Sequence, residues 1–492
     1  MSDVNHVLDS PAAVKADRNA FSRVGLNADN EIRHIRRRLV VGGALIVGDI
    51  LASRIAVGTS HFLSQLLSPS AEANAYLPTD LIVLVFLALG LYFGTGQSPY
   101  GRFRLRGIGI LLFLALDCLA AGKSQGPIRL IFEIASSAGL LLVIGFYMEC
   151  LVRHLLLRYG FWLAPTALVG CGETAQTLFK TLTTQPELGL RPVGFIRTAA
   201  DTDTTAATLP APVLGRIEEF TLVGRDVEFA ILTSRDQLAV TNILSDRLPP
   251  AQLILLHDVS DIQTLWVRTH ALGNAVGIHF KRDPYLTQNR WLKRAIDLSV
   301  AVPAFVFFVP LIAAVALLIK LVDRGPAFYF QPRIGGKGRV FNVPKLRTMY
   351  LDASERLESH LLNNPQARNE WDRFFKLTND PRILPVIGNF IRRTSLDELP
   401  QLWSVIVGDM SLVGPRPFPA YHMDRFDPEF RSVRTVVPPG LTGLWQVSAR
   451  SNGDLDVQRA QDTFYIRNWS IWLDIYILLQ TLPAVMSTSG AR

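Results

Sequence analysis

Four apolar stretches follow a polar start: residues 39–62, 77–95, 107–122 and 129–152. Each approaches the roughly 20 residues a helix needs to cross a bilayer core. The pattern therefore predicts four transmembrane helices over 39–155, behind a polar tail, 1–38. Arg33, Arg36, Arg37 and Arg38 precede the first stretch, and Arg102, Arg104 and Arg106 lie between the second and third. Arg153 and Arg158 follow the fourth, whereas the loop between the first two carries no Lys or Arg. By the positive-inside rule, both ends of this bundle face the cytoplasm. Asp49, Arg54 and Asp117 fall within the spans. Intramembrane charges mark functional candidates, but inward pairing or snorkelling near a helix end is the plainer expectation.

From 160 to 280 the period shortens. TALVGCGETAQTLFKTL reads as strand, glycine turn and helix, with Gly170, Gly172 and Ala175 in GxGxxA spacing. VEFAILTS and AQLILLHDV read as further buried strands, which predicts a Rossmann-like α/β domain. A working dinucleotide site needs an acidic residue about twenty positions on. VGFIRTAAD offers Arg197 before Asp201, so a structural or regulatory domain is expected.

A further apolar run over 291–320 is long enough to span, but Pro303 and Pro310 interrupt it. Interior prolines kink helices. Lys293 and Arg294 stand at one end, Lys320 and Arg324 at the other, so positive charge at both ends argues for a bent, re-entrant helix.

Composition sharpens this picture. The mean hydropathy is +0.24 and only 19% of the 492 residues are charged, which fits a membrane protein of α and α/β class. The formal net charge of +8 calls for an acidic partner: anionic lipid, nucleic acid or a phosphorylated substrate. Cys118, Cys150 and Cys171 supply neither a disulfide framework nor a zinc cluster. The polar start lacks an early apolar core with a cleavage site, so no signal peptide is expected.

The chemistry centres on TSLDELPQL. Ser395-Leu396-Asp397-Glu398 fits a capping box, in which Glu398 would reach back to the Ser395 amide. Pro400 argues against a helix starting that early, because it lacks the amide for the Leu396 carbonyl. A helix starting at Asp397 instead places both carboxylates beside free backbone amides, an anion-binding end. An ionised Asp is a competent nucleophile toward phosphorus, provided nearby cations offset the repulsion. Mg²⁺ is commonly held by one or two carboxylates plus substrate phosphates, and Glu398 can be such a ligand. Lys345, Arg347, Arg392, Arg393 and Arg416 are the candidate phosphate partners; each could equally be a solvated surface charge.

Residues 291–492 closely resemble the bacterial sugar transferases, the monotopic polyprenol phosphate hexose-1-phosphate transferases. The likeness runs through DRGPAFYFQPRIGGKG, PKLRTM, NDPRI, SLDELPQL, GDMSLVGPRP, PGLTGLWQVSAR and NWSIWLDIYIL. The preceding spans and α/β domain look like the long form of this family. The resemblance implies transfer of a hexose 1-phosphate from a UDP-sugar, galactose or glucose first, to undecaprenyl phosphate, releasing UMP. It implies an enzyme of the bacterial inner membrane, with its catalytic domain facing the cytoplasm. That enzyme would open exopolysaccharide, O-antigen or capsule repeats.

Residue by residue, the resemblance makes Asp397 the nucleophile that forms a covalent phosphosugar and Glu398 the Mg²⁺ ligand. Lys345, Arg392 and Arg416 fall on basic positions, Asp462 on an acidic position near the site, and Pro310 on the kink. Two departures stand out: Val309 replaces the usual Ser before Pro310, and Ala449 replaces Gly in VSARS. The α/β domain is then expected to serve folding, homodimerisation or regulation, and nucleic acid is not an expected partner. A nucleotide-sensing membrane regulator with a decayed transferase domain is the competing class. A nucleotide-sugar dehydratase is the third, but Tyr285 and Asn289 fail its Tyr-x-x-x-Lys spacing.

Overall fold

The structure is a computed structural model that describes residues 11–67, 78–93, 96–120, 127–198, 201, 209–217, 227–233, 252–256, 267–272, 275–280, 287–374, 377, 380–385, 387–448 and 455–486. Ala449, Tyr285 and residues 68–77, which include most of the loop between the first two apolar stretches, lie outside these residues. The chain divides into two compact units, Met1–Val259 and Ser260–Arg492.

The first unit begins with α1 (Pro11–Leu67), α2 (Ile82–Ala88), α3 (Pro99–Ala120) and α4 (Pro127–Arg158). Within α1 and α4, Ile32–Leu66 and Phe132–Arg158 are long and apolar enough to cross a membrane. Among the described residues, the second predicted stretch yields a 3₁₀ turn, Thr79–Leu81, and only seven α-helical residues. Gly90, at φ +73°, turns the chain left-handed there, and Leu91 N–H closes the end on the Phe86 carbonyl (3.1 Å). α3 carries Arg102, Arg104 and Arg106 on its first turns. Two of them are not the loop charges the sequence suggested. Arg106 is buried between Asp49 of α1 (2.5 Å) and Glu149 of α4 (2.8 Å), and Arg102 also reaches Glu149 (2.6 Å). Asp49 is thus paired inward, as the plainer expectation had it, with Tyr92 donating to its second oxygen (3.0 Å). Arg54 forms an exposed pair with Asp80 (2.8 Å), and Asp117 is buried.

Five parallel strands follow, β1 (Ala164–Val169), β2 (Leu190–Arg197), β3 (Val213–Arg216), β4 (Phe229–Leu232) and β5 (Gln252–Leu255), in the order β3-β2-β1-β4-β5. This is the doubly wound order, with α5 (Glu173–Thr184) entered from the glycine turn. The Asp201 carboxylate fills that turn itself: it accepts from Cys171 N–H (3.0 Å), Thr198 N–H (2.8 Å) and the Thr198 hydroxyl (2.9 Å). Glu228, just before β4, is buried and holds Arg37 and Arg38 of α1 at 2.7 Å each, tying sheet to helix.

The second unit starts with the hairpin β6 (Val267–Leu272) and β7 (Ala275–Phe280), then α6 (Thr287–Val322). A second hairpin pairs β8 (Phe328–Ile334) with β9 (Val340–Leu346). Helices α7 (Ala353–Asn363), α8 (Pro365–Phe374), α9 (Ile387–Arg393) and α10 (Gln401–Val407) come next. After β10 (Ser411–Val413) lie α11 (Ala420–Met423) and α12 (Pro428–Arg434), and after β11 (Gly440–Thr442) come α13 (Leu444–Ser448), α14 (Leu455–Asn468) and α15 (Ile471–Met486). β10 and β11 are parallel.

α6 is helical through Pro303 and Pro310, and Arg290–Val322 is a third stretch able to cross a membrane. Val306 and Phe307 stand well exposed on it. Ile312, Val315 and Ile319 pack instead against Ala327, Leu346 and Ile391. Both ends of α6 are bound to this one unit. Lys293 pairs with Asp474 (2.6 Å), Asp297 accepts from Ser411 and from Leu412 N–H (3.1 Å), and Arg294 caps α10 at the Val405 and Ile406 carbonyls (2.5 and 2.6 Å). At the far end Arg347 grips Asp323, just past α6, through its carboxylate (2.5 Å) and carbonyl (2.9 Å). The basic residues read as charges at the membrane surface are thus, at Lys293 and Arg294, consumed by tertiary contacts.

Candidate active site

Asp397 and Glu398 lie on a single 3₁₀ turn, Leu396–Glu398, between α9 and α10. Leu396 and Leu399 pack on the α6 core and so pin the turn, while the acids project away from it. Ser395 enters the turn in the left-handed conformation (φ +56°), makes no side-chain cap, and its amide donates to the Arg392 carbonyl (3.2 Å). The capping box does not form. Nor does a helix begin at Asp397: α10 starts at Gln401, with Pro400 as its N-cap, where no amide is missed. Ser395→Ala should therefore cost roughly 0.5 kcal/mol or less, against about 1 kcal/mol for a lost cap. Chemical denaturation of the purified protein in micelles reads that difference, and a full cap-sized loss would restore the capping reading.

Instead of reaching back, Glu398 is held by two cations. Its Oε1 accepts from Lys345 Nζ (3.1 Å), on β9, and from Arg416 Nη2 (2.8 Å). Arg416 follows Gly414-Pro415, where β10 and β11 run backbone to backbone. Gly414 N–H donates to Thr442 O (2.9 Å) and Gly440 N–H to Pro415 O (2.9 Å). A Cβ on Gly414 would stand 2.5 Å from the Pro438 carbonyl oxygen, so the GPRP and PPGLTG glycines are what let Arg416 reach the turn.

The two carboxyls are pushed apart. Burial alone would raise Glu398, but Arg416 and Lys345 hold it well below the usual carboxylate range. Burial, with the Glu398 charge beside it, pushes Asp397 up to about 6, against the pull of Lys345, Arg392 and Arg416. No hydrogen bond among the described residues reaches the Asp397 carboxylate. One acid is thus clamped in its charged form and the other is half-buried, poised and unengaged.

Arg392 closes the α9 side, and its Nη1 is buried without a partner. Arg393 is exposed. Arg347 does not join the cluster, because Asp323 takes it. Asp462 sits one step back. It pairs with buried Arg434 (2.8 Å), whose Nη2 donates to the Arg416 carbonyl (2.5 Å) while its guanidinium lies 4.0 Å from the Phe418 ring centre. Sequence reasoning missed Arg434 and also Arg333 of β8, which donates to Pro417 O (3.4 Å) beside Arg416. The signal for Arg333 lay in the strand register, which sets β8 opposite Lys345.

The donor set is oxygen only. Glu398 Oε2 and both Asp397 oxygens accept no bond, and no third His, Cys, Asp or Glu joins them among the described residues. Such a pair suits Mg²⁺, whose shell substrate phosphates and water would complete. Lys345, Arg333, Arg392 and Arg416 together outnumber the two carboxylates, an excess of positive charge that suits a diphosphate.

Comparison with known proteins identifies the family of the segment that holds this site. The family model described as "Bacterial sugar transferase" matches residues 288–488, which contain every residue of the site. A UDP-galactose-lipid carrier transferase of Erwinia amylovora is 31% identical over 491 residues, 94% of this chain and 99% of its own. An undecaprenyl-phosphate galactose phosphotransferase of Salmonella typhimurium is 33% identical over 70% of this chain and 73% of its own. An undecaprenyl-phosphate glucose phosphotransferase of Komagataeibacter xylinus is 42% identical over 40% of this chain and 36% of its own. With a relative matching end to end, and with the paired acids and their cations inside the matched segment, this membrane chain belongs to the bacterial sugar transferase family.

Proposed function

We propose that the protein transfers a hexose 1-phosphate, galactose or glucose, from its UDP-sugar to undecaprenyl phosphate. The observation that carries this reading is the Asp397 carboxylate, free of hydrogen bonds and raised to about 6, beside a Glu398 clamped by Lys345 and Arg416. An Asp397 oxygen attacks the β-phosphorus of the donor, and the bond from that phosphorus to the bridging oxygen breaks. UMP departs with the electron pair, and the sugar phosphate stays on Asp397 as an acyl phosphate. An oxygen of undecaprenyl phosphate then attacks the same phosphorus and returns the carboxylate. Arg416, Lys345 and Arg392 bind and orient the diphosphate and neutralise charge as it shifts. A bound Mg²⁺ on Glu398 would add Lewis-acid neutralisation of the phosphoryl oxygens.

Membrane placement follows the same reading. Nucleotide sugars are cytoplasmic, and the ties of both α6 ends to the catalytic unit support a re-entrant helix, bent at Pro310, over a spanning one. The four-helix bundle would then bring the chain to the cytoplasmic face of the inner membrane.

The direct test presents UDP-galactose, UDP-glucose and their N-acetylated forms to the purified protein without lipid acceptor. A sugar phosphate bound covalently to the protein, with one UMP released per labelled chain, is expected. Turnover that appears only with lipid present, with no labelled protein, would replace the two-step route by direct transfer.

The acid pair also sets a pH dependence. The attacking form of Asp397 is ionised, so kcat/KM should fall roughly tenfold per pH unit below its apparent pKa, which lies near 6. Because Arg392 pulls that pKa down, the residual activity of Arg392→Gln should decline from a higher pH than wild type. A profile flat to about pH 5 would contradict the environment described for Asp397.

A further inference from the structure

One face of the β8–β9 hairpin looks onto the acid pair with groups the reaction above leaves unused. Residues directly opposed in an antiparallel pair share a face, as do alternate residues of each strand. The register sets Tyr329 opposite Lys345, Gln331 opposite Val343 and Arg333 opposite Phe341. Since Lys345 reaches Glu398, Tyr329 and Arg333 look the same way. The opposite face of β8 carries Phe328, Phe330 and Pro332. Strand β8 thus has an apolar side and a side of Tyr, Gln and Arg, which it shares with Phe341, Val343 and Lys345 of β9.

We infer that this second side seats the nucleotide half of the donor, with Tyr329 as the platform for the base and Arg333 as a further cation on the diphosphate. The inference rests on the transferase reading and deepens it. Arg333 has the right company. Nη2 donates to Gln331 Oε1 (2.5 Å) and Nη1 to Pro417 O (3.4 Å), but no carboxylate pairs with it. Burial, with the Arg416 charge close by, pushes its guanidinium down to about 10. Two guanidiniums held together, one of them lacking a carboxylate of its own, are relieved by a doubly charged anion.

Tyr329 is 52% exposed, and among the described residues no ring or cation is stacked on it. Opposed side chains on such a pair stand about 5 Å apart. Lys345 is thus beside Tyr329, while Arg333, four residues along β8, stands roughly 13 Å from it, so a base on Tyr329 leaves its diphosphate to lie between Lys345 and Arg333. The aromatic platform discriminates weakly among bases, so choice of uracil falls to polar neighbours such as Gln331.

The test uses the full-length protein in membranes, with UMP and inorganic pyrophosphate as separate inhibitors. Tyr329→Ala should weaken inhibition by UMP, and raise KM for the nucleotide sugar, by roughly 5- to 100-fold. Pyrophosphate inhibition should stay unchanged, and Tyr329→Phe should keep wild-type affinity for UMP. Arg333→Gln should weaken both inhibitors, and Arg333→Lys should recover part of the loss. Wild-type UMP inhibition in Tyr329→Ala would overturn the assignment, most plainly if membrane attachment loosens instead, since Tyr329 would then be a lipid anchor. Equilibrium dialysis of UMP reads the hairpin even without turnover. Failure of the wild type to release UMP from any UDP-sugar would count against the transferase reading alone.

Discussion

Asp397→Asn should reduce UMP release to background, a loss of roughly 10⁴-fold or more, while making the protein more stable. The amide keeps the size and shape of the side chain, so the 3₁₀ turn and its Leu396 and Leu399 anchors stay in place. What disappears is the attacking charge, and with it the covalent phosphosugar. The stability gain follows from linkage. Native Asp397 holds its proton more tightly than the unfolded chain does, with a pKa near 6 rather than the ordinary carboxylate value. The native state is therefore favoured where the carboxyl is protonated, and it loses that advantage as pH rises through about 6. At pH 7 the charged, unpaired carboxylate costs about 1–3 kcal/mol, after allowing for partial solvent screening. Asp397→Asn removes that cost, so the gain should be seen at pH 7 and fade toward pH 4. Denaturation at the two pH values, beside a labelling assay with UDP-sugar, measures both effects. An active Asp397→Asn enzyme would end the nucleophile assignment. An inactive but destabilised one would mean that the acid holds the turn together rather than attacking from it.

The parts of this molecule legible in its sequence are those whose cause is local. The spans over 39–62 and 129–152 and the strand–turn–helix around Gly170 announce themselves through period and run length. The acid pair stands out because two carboxylates precede an apolar helix, and Pro400 already argued against a cap at Ser395. The residues whose surroundings the sequence does not show depend on partners far along the chain. Arg347 looked like a phosphate ligand beside Lys345, yet it stands one residue past the end of β9 and donates to Asp323, 24 residues back. Asp462 gained a defined place only through Arg434, 28 residues away, which links it to the Arg416 carbonyl. Asp201, sought as a ribose ligand, spends its carboxylate on the glycine turn. Charge alone gave Arg102, Arg106 and Lys293 a surface reading. Only the fold reveals the carboxylates that bury them.

Lys293→Met should be the most damaging change outside the acid pair, destabilising the protein by about 3–5 kcal/mol. Lys293 is 4% exposed and donates to Asp474 Oδ2 (2.6 Å) and to the Val413 carbonyl (3.0 Å). Asp474 is as deeply buried and also accepts from Trp469 Nε1 (3.1 Å). The Tyr465 hydroxyl lies 2.8 Å from Asp474 Oδ1 and 2.9 Å from Val413 O, and its one proton serves one of them. Replacing Lys293 strands a buried carboxylate on neutral donors, a far greater loss than that of an exposed ion pair. Adding Asp474→Leu should recover part of the stability, because an apolar pair of similar volume avoids the desolvation cost that a lone charge pays. The double variant should therefore be less damaged than the two single losses add up to. Activity should follow a different rule. Val413 ends β10 one residue before Gly414-Pro415-Arg416, so a loosened strand end moves Arg416 away from Glu398 even where the fold survives. UMP release from the double variant should stay well below wild type while its denaturation midpoint recovers. Additive single losses would show that Lys293 and Asp474 act separately. Full activity in a restabilised double variant would show that Arg416 is held without them.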